Sequence, residues 1–247
     1  MHTPGSQFIL NAKQNVFMGG DGMKGVIFRF NRILSQDFGR QKRAWMLFSL
    51  MEFYKDISQL DFDKYVYGQS YQSIMEYMAG RPLSDTEVWE LAEKQEEMYR
   101  ILCREDKAHI SLACGAEFLL SELKERKIPR LLVVESKKAD FDFYIENFGM
   151  NEWFSQESII CEDNFVPGKP NKDIYERAIQ AINLPGKNCL VFEDTVSGIH
   201  AAKKAGIGKI VVIAPQMDQY IFENMREVEE VIGNFHEFDR ILLSDFI

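Results

Sequence analysis

The sequence predicts an α/β protein with a doubly wound parallel sheet of Rossmann-like type and an inserted all-α helical domain. Two observations predict the sheet: short apolar runs recur along the chain, and amphipathic helical patterns separate the later ones. A third predicts the insertion, because the first two runs are separated by residues 29–129, a strongly helical stretch. A crossover between parallel strands needs only about a dozen residues.

Four runs are predicted to be strands: 25–28, 130–134, 188–192 and 209–214. Each is short and apolar throughout, which is typical of strands that are buried on both faces of a parallel sheet. Apolar residues at spacings of three and four predict helices over 116–127, 172–182 and 198–206. Gly206 predicts the end of the last helix.

The long interval is predicted to be a helical cap over residues 38–110, inserted into a core formed by 23–37 and 111–247. Ser84 and Glu87 form a capping-box signature before an amphipathic run. The aromatic stripe in 40–54 favours a packed helix over a cofactor site. Residues 1–22 lack the basic start and long apolar middle of a secretory signal, so they are predicted to be a disordered leader or tag.

Composition excludes several classes of function. Twenty-nine basic and 38 acidic residues give a net charge of −9, which argues against a nucleic-acid partner or an anionic membrane surface. The four cysteines and four histidines show no zinc-site spacing. They favour a reduced, cytoplasmic protein, and no apolar run is long enough to span a bilayer. The oligomeric state stays open, and a monomer is compatible with the sequence.

Two carboxylates follow the strand predicted at 188–192. Glu193 and Asp194 lie at its carboxyl end, just before a helix start. Adjacent carboxylates there can hold Mg²⁺, which prefers oxygen ligands. The alternative is that Asp194 or Thr195 only caps the following helix.

Upstream, Lys169 lies in a loop stiffened by Pro167 and Pro170. A lysine held in this way is a candidate for binding a phosphate as a point charge. If this loop were the only evidence, an ordinary solvated surface lysine would be the preferred interpretation.

Together, "GKPNKDIY" (168–175) and "LVFEDTVSGIHAAKKAG" (190–206) resemble two motifs of the haloacid dehalogenase (HAD) superfamily. The branch they resemble is the capped one, with β-phosphoglucomutase-like and sugar-phosphatase-like members. The resemblance implies Mg²⁺-dependent phosphoryl transfer, through an aspartyl-phosphate, on a small phosphorylated metabolite or sugar phosphate. It also implies that Asp194 ligates the metal, with Glu193 as an alternative ligand, and that Lys169 and Ser136 hold phosphoryl oxygens.

The first motif departs from that pattern. Members of the branch read approximately "KGVIFDFNGTL", whereas this chain reads "KGVIFRFNRIL". The nucleophile position is therefore Arg29, the acid/base position is Asn31, and Arg32 stands in place of a glycine. Arginine stays protonated and cannot attack phosphorus. We expect Arg29 to pair with Asp194 or Glu193 in the place of the metal, which predicts a vacant Mg²⁺ site.

Three functions stay open from the sequence. The first is a catalytically silent HAD relative that binds a phosphorylated metabolite or inorganic anion through Arg29, Arg32, Ser136 and Lys169. The second is a hydrolase with an unrecognised nucleophile. The third is a non-catalytic scaffold or interaction protein in which the old cleft is filled.

Overall fold

The computed structural model is a parallel sheet with helices on both faces and a helical cap. It describes residues 25–35, 37–67, 69–106, 110–134, 138–161, 173–214, 216 and 218–246. Within these ranges six strands pair in parallel in the order β3-β2-β1-β4-β5-β6. They are β1 (Gly25–Arg29), β2 (Arg130–Val134), β3 (Ile159–Cys161), β4 (Cys189–Glu193), β5 (Lys209–Ile213) and β6 (Glu230–Ile232).

The α-helices of the described ranges fall into two groups. Those between β1 and the rest of the core are α1 (Phe38–Phe53), α2 (Gln59–Tyr65), α3 (Tyr71–Ala79) and α4 (Asp85–Glu105). We call the segment Phe38–Glu105 the cap and the rest of the described chain the core. The core helices are α5 (Ala116–Glu125), α6 (Lys138–Phe148), α7 (Asp173–Ile182) and α8 (Val196–Lys204).

These elements confirm the predicted fold class, a doubly wound parallel sheet with an inserted helical cap. The exact cap boundaries, 38–110, stay a prediction, and the predicted leader, 1–22, lies outside the described residues. The sequence did not predict β3 and β6. Both are three-residue strands at the two sides of the sheet, and runs that short carry no periodicity to read.

The core is built around β1, whose five residues are all buried. On one face Phe28 stacks on Phe192, with ring centroids 5.2 Å apart, and packs with residues of α5 and α6. On the other face Ile27 packs with Tyr175 of α7 and Ile199 of α8. Apolar side chains on both faces explain why β1 reads as a continuous apolar run.

The cap has its own apolar cluster, formed by Trp45, Phe48 and Phe62 with residues of α3. Helix α4 begins with the predicted capping box: the Ser84 side chain accepts from the backbone N–H of Glu87, and the Glu87 carboxylate accepts from Ser84. Among the residues that the structure describes, no helix is both long and apolar enough to cross a membrane.

Candidate functional site

The candidate site lies where β1 and β4 end. The two strands are parallel neighbours, with Ile27 opposite Val191, so their carboxyl ends meet at one edge of the sheet. Strand β1 ends at Arg29 and strand β4 at Glu193. This edge is where open parallel sheets usually bind their ligands.

Arg29 is almost completely buried, with 1% of its surface exposed, and it contacts both carboxylates. Its Nη1 lies 3.1 Å and 2.9 Å from the two carboxylate oxygens of Glu193 and 2.9 Å from Asp194 Oδ1. These contacts confirm the ion pairs expected from the sequence. A buried guanidinium requires such partners, because an uncompensated charge inside a protein is costly.

Arg32 binds the other side of Asp194. Its Nε donates to Asp194 Oδ2 at 2.6 Å, and its guanidinium lies over the ring of Tyr67 from the cap, 5.7 Å from the centroid. Burial, with the nearby negative charge of Asp194, raises the pKa of Tyr67 to about 12. Tyr67 therefore stays protonated near neutral pH and covers the site as a neutral ring.

The Glu193 carboxylate is held from several sides. The Tyr175 hydroxyl of α7 donates to Oε1, and the backbone N–H of Asp194 donates to Oε2 at 3.0 Å. Helix α8 begins directly beside it, with Thr195 as the N-cap accepting from the N–H of Gly198 at 3.0 Å. Capping by Thr195, the alternative considered from the sequence, is therefore observed alongside the ion pairs.

The residues present do not fit a Mg²⁺ ion. All four carboxylate oxygens of Glu193 and Asp194 lie within hydrogen-bond distance of a guanidinium nitrogen of Arg29 or Arg32. A cation placed among them would displace these contacts and be repelled by two fixed positive charges. Two guanidinium groups and two carboxylates also leave the cluster locally neutral.

A second polar cluster, which the sequence did not predict, joins the core to the cap. The Tyr144 hydroxyl of α6 donates to Oε2 of the buried Glu96 on α4 at 3.2 Å. Glu96 Oε1 accepts from the Tyr71 hydroxyl. Burial raises the pKa of Glu96, because the desolvated carboxylate prefers its neutral form.

Sequence spacing held a signal for this cluster. Gln95 and Glu96 lie three or four residues from Ala92 and Tyr99, on the apolar stripe of α4. A polar pair on a buried stripe indicates a buried hydrogen-bond network, since such groups need partners. Nearby, the Tyr99 hydroxyl donates to Asp37, whose pKa burial raises.

The structure brings together Arg29, Arg32, Glu193 and Asp194, and it places Asn31 two residues beyond the end of β1. Lys169 and Ser136, the predicted phosphate-binding residues, lie outside the described residues. All four cysteines are free. Where the structure describes the chain, no group of three or more histidine, cysteine or acidic side chains could hold a metal ion.

Fold and site define a class: a capped α/β protein whose strand-end acids are neutralised by arginines. The family model of haloacid dehalogenase-like hydrolases matches residues 46–212, and the chain belongs to this family. The matched range begins after β1, so the match does not bear on Arg29. The family identity confirms the resemblance read from the two motifs.

Solved structures agree on the fold. A HAD hydrolase of family IA, variant 3, from Entamoeba histolytica superimposes with a TM-score of 0.82 at 28% identity, covering 91% of this chain and 99% of that one. CbbY from Rhodobacter sphaeroides, in complex with phosphate, gives 0.72 at 17% identity, covering 87% and 96%. At that identity the second match shows the fold alone.

Curated relatives match over parts of their length. A probable pseudouridine-5'-phosphatase of Drosophila melanogaster is 32% identical over 60% of this chain and 63% of its own. The validoxylamine A 7'-phosphate phosphatase of Streptomyces hygroscopicus subsp. limoneus is 27% identical over 55% and 66%. The bifunctional riboflavin kinase/FMN phosphatase of Arabidopsis thaliana is 32% identical over 46% and 30%. The chain thus spans between about a third and two thirds of these relatives.

Proposed function

We propose that this chain is a HAD-family protein that has lost phosphoryl transfer and keeps a site for a small phosphorylated metabolite or an inorganic anion. The observation that carries the proposal is Arg29, which occupies the nucleophile position of the resemblance and pairs with Glu193 and Asp194. A guanidinium offers no lone pair to phosphorus, and it fills the space between the carboxylates that a metal would need.

The reaction fails on this proposal for two independent reasons. No carboxylate stands at the end of β1 to form a covalent bond to phosphorus. Glu193 and Asp194 are already neutralised by the two arginines, so they neither attract Mg²⁺ nor leave an oxygen for it.

Anion binding is supported by residues of the site and of the family motifs. Arg32 keeps a quarter of its side chain exposed at the site, and Lys169 and Ser136 fall on the phosphate-holding positions of the family motifs. The CbbY structure is a phosphate complex, and a CbbY mutant structure contains xylulose-(1,5)bisphosphate. We extend the ligand class, not the individual ligand, to this chain.

The free cysteines support a cytoplasmic location.

Activity is tested with the purified chain, Mg²⁺ and a panel of small phosphate monoesters that includes sugar phosphates. We expect release of inorganic phosphate at the buffer rate, and the same result for Asp194→Asn. Turnover that requires Mg²⁺ and disappears in Asp194→Asn would overturn the proposal and support a hydrolase with another nucleophile.

Ligand binding is tested separately by calorimetry with inorganic phosphate and sugar phosphates. We expect binding that Lys169→Ala weakens at least tenfold, while Lys203→Ala, a change at an exposed residue of α8, leaves it unchanged. A chain that binds none of these ligands, and is still inactive, would contradict the anion site and favour the scaffold alternative.

A further inference from the structure

Several side-chain contacts join the cap to the core, among them Tyr99 with Asp37 near the start of the cap, and two of them involve residues of the two polar clusters described above. The first is made by Arg32, whose guanidinium forms an ion pair with Asp194 of the core and lies over the Tyr67 ring of the cap. A guanidinium over an aromatic face is attracted by the ring electrons. Asp194, Arg32 and Tyr67 therefore form one continuous connection from the end of β4 to the cap.

The second contact runs through Glu96. Its carboxylate, on α4 of the cap, accepts from Tyr144 on α6 of the core and from Tyr71 on α3 of the cap. Glu96 and Tyr144 are both buried, at 7% and 1% exposure, and a hydrogen bond in such surroundings is stronger than one in water. Tyr144 supplies the donor that comes from the core, and Tyr71 supplies one from within the cap.

The backbone at Arg32 gives independent support. Its φ is +65°, in the left-handed region, which costs free energy for any residue with a Cβ atom. Glycine adopts this conformation without that cost. An arginine at such a position costs free energy that glycine would not. The contacts of its side chain with Asp194 of the core and Tyr67 of the cap therefore indicate a role for the side chain itself.

We propose that Arg32–Tyr67 and Tyr144–Glu96 together form a latch that holds the cap on the core without a bound ligand. The latch closes the cleft over Arg29 and Asp194 with the protein's own side chains. It is independent of the proposed function, because it makes no use of phosphate binding or of catalysis. Breaking both contacts loosens the cap over the cleft, while Tyr99, Leu102 and Cys103 of α4 stay packed in the core.

The test measures the distance between cap and core directly. Spin labels are placed on cysteines introduced at Leu60 of the cap and Lys204 of the core, both exposed, with Cys114 and Cys161 changed to serine. Pulsed electron resonance then gives the distribution of label separations in the full chain without ligand. We expect one narrow distribution for this background.

Two double variants separate a latch from a general loss of packing. Tyr67→Leu/Tyr144→Phe removes the ring over Arg32 and the core donor to Glu96, and we expect a broader distribution with longer separations. Tyr67→Phe/Tyr71→Phe is the matched control, because it keeps a ring over Arg32 and the Tyr144 hydroxyl. We expect its distribution to match the background.

The outcomes decide the proposal. Circular dichroism and thermal melting first establish that each variant is folded; if Tyr67→Leu/Tyr144→Phe does not fold, Tyr144→Phe alone is measured against Tyr71→Phe in the same way. A narrow, unchanged distribution in the latch variant overturns the proposal. So does a background that is already broad, or a control that opens as far as the latch variant.

Discussion

Glu193 is the most constrained side chain of the candidate site. It pairs with Arg29, accepts from Tyr175 and faces the Cα of Gly198 on α8. A Cβ atom at Gly198 would overlap the Glu193 carboxyl group. Position 198 therefore requires glycine, because the Glu193 carboxylate lies against the first turn of α8 and leaves no room for a Cβ atom.

A substitution tests this constraint. We expect Gly198→Ala to lower the free energy of unfolding by about 1–3 kcal/mol, because the carboxylate would have to leave its partners or the helix would have to shift. Chemical denaturation measures the change. The matched control is Gly39→Ala on α1, where a Cβ meets nothing within 4 Å; alanine should add about 0.5–1 kcal/mol there. Equal effects at the two glycines would show that Glu193 is not fixed.

At the scale of single elements, α4 links the cap to the core. It begins at the Ser84 capping box and buries Tyr99, Leu102 and Cys103 in a core cluster that also contains Phe28 and Phe30. Between these ends it buries Glu96, whose carboxylate accepts hydrogen bonds from the Tyr71 and Tyr144 hydroxyls. The helix therefore carries a buried acid at the point where cap and core meet.

The raised pKa of Glu96 gives a prediction for stability against pH. The pKa of Glu96 is higher in the folded protein than in the unfolded chain, where it lies near 4.5. Protonated Glu96 therefore stabilises the fold at pH values below 4.5, and this contribution is lost as the pH rises through the pKa of the folded protein. Glu96→Gln imitates the neutral form. We expect a higher melting temperature than wild type at pH 8 and no difference at pH 4.

The control for this prediction is Glu90→Gln, at an exposed position of the same helix. It should leave the melting temperature nearly unchanged at both pH values, since surface charge changes are worth little. A Glu96→Gln protein that melts below wild type at pH 8 would show that the carboxylate is needed in its ionised form.

At the scale of the whole molecule, sheet order decides which charges meet. Residues 29 and 193 are far apart in sequence, and the pairing of β1 with β4 places their side chains in contact. The resulting cluster of two acids and two arginines has no net charge. A protein of net charge −9 thus has a neutral site where the family resemblance would predict a metal bound by acids.

This neutrality predicts that Mg²⁺ adds no stability. A ligand present at about one hundred times its dissociation constant adds about 2.7 kcal/mol to folding. We expect no change in the wild-type melting temperature when MgCl₂ replaces NaCl at equal ionic strength. Arg29→Asp/Arg32→Gly, which restores the acidic pattern of the motif, should melt at a higher temperature in MgCl₂ than in NaCl. A Mg²⁺-dependent rise in the melting temperature of the wild-type protein would contradict the neutral site.

Much of the fold and part of the candidate site could be predicted from local sequence pattern. The four main strands, the start of α4 and the position of Arg29 at a strand end depend on neighbouring residues and their spacing. The pairing of Arg29 with Glu193 and Asp194 could be predicted from charge, because a buried guanidinium needs a carboxylate partner. Strands β3 and β6 were missed because three residues carry no period.

The sequence by itself determined the family, the parallel sheet with its helical insertion and the presence of an arginine, not a carboxylate, at the end of the first strand. Only the tertiary structure decided that Arg32 divides its side chain between Asp194 and Tyr67, and that Glu96 is shared by Tyr71 and Tyr144. The physical reason is the distance along the chain between the residues that interact. Periodicity and motif spacing act along the chain, whereas these contacts join helices and loops that meet only when the cap packs on the core.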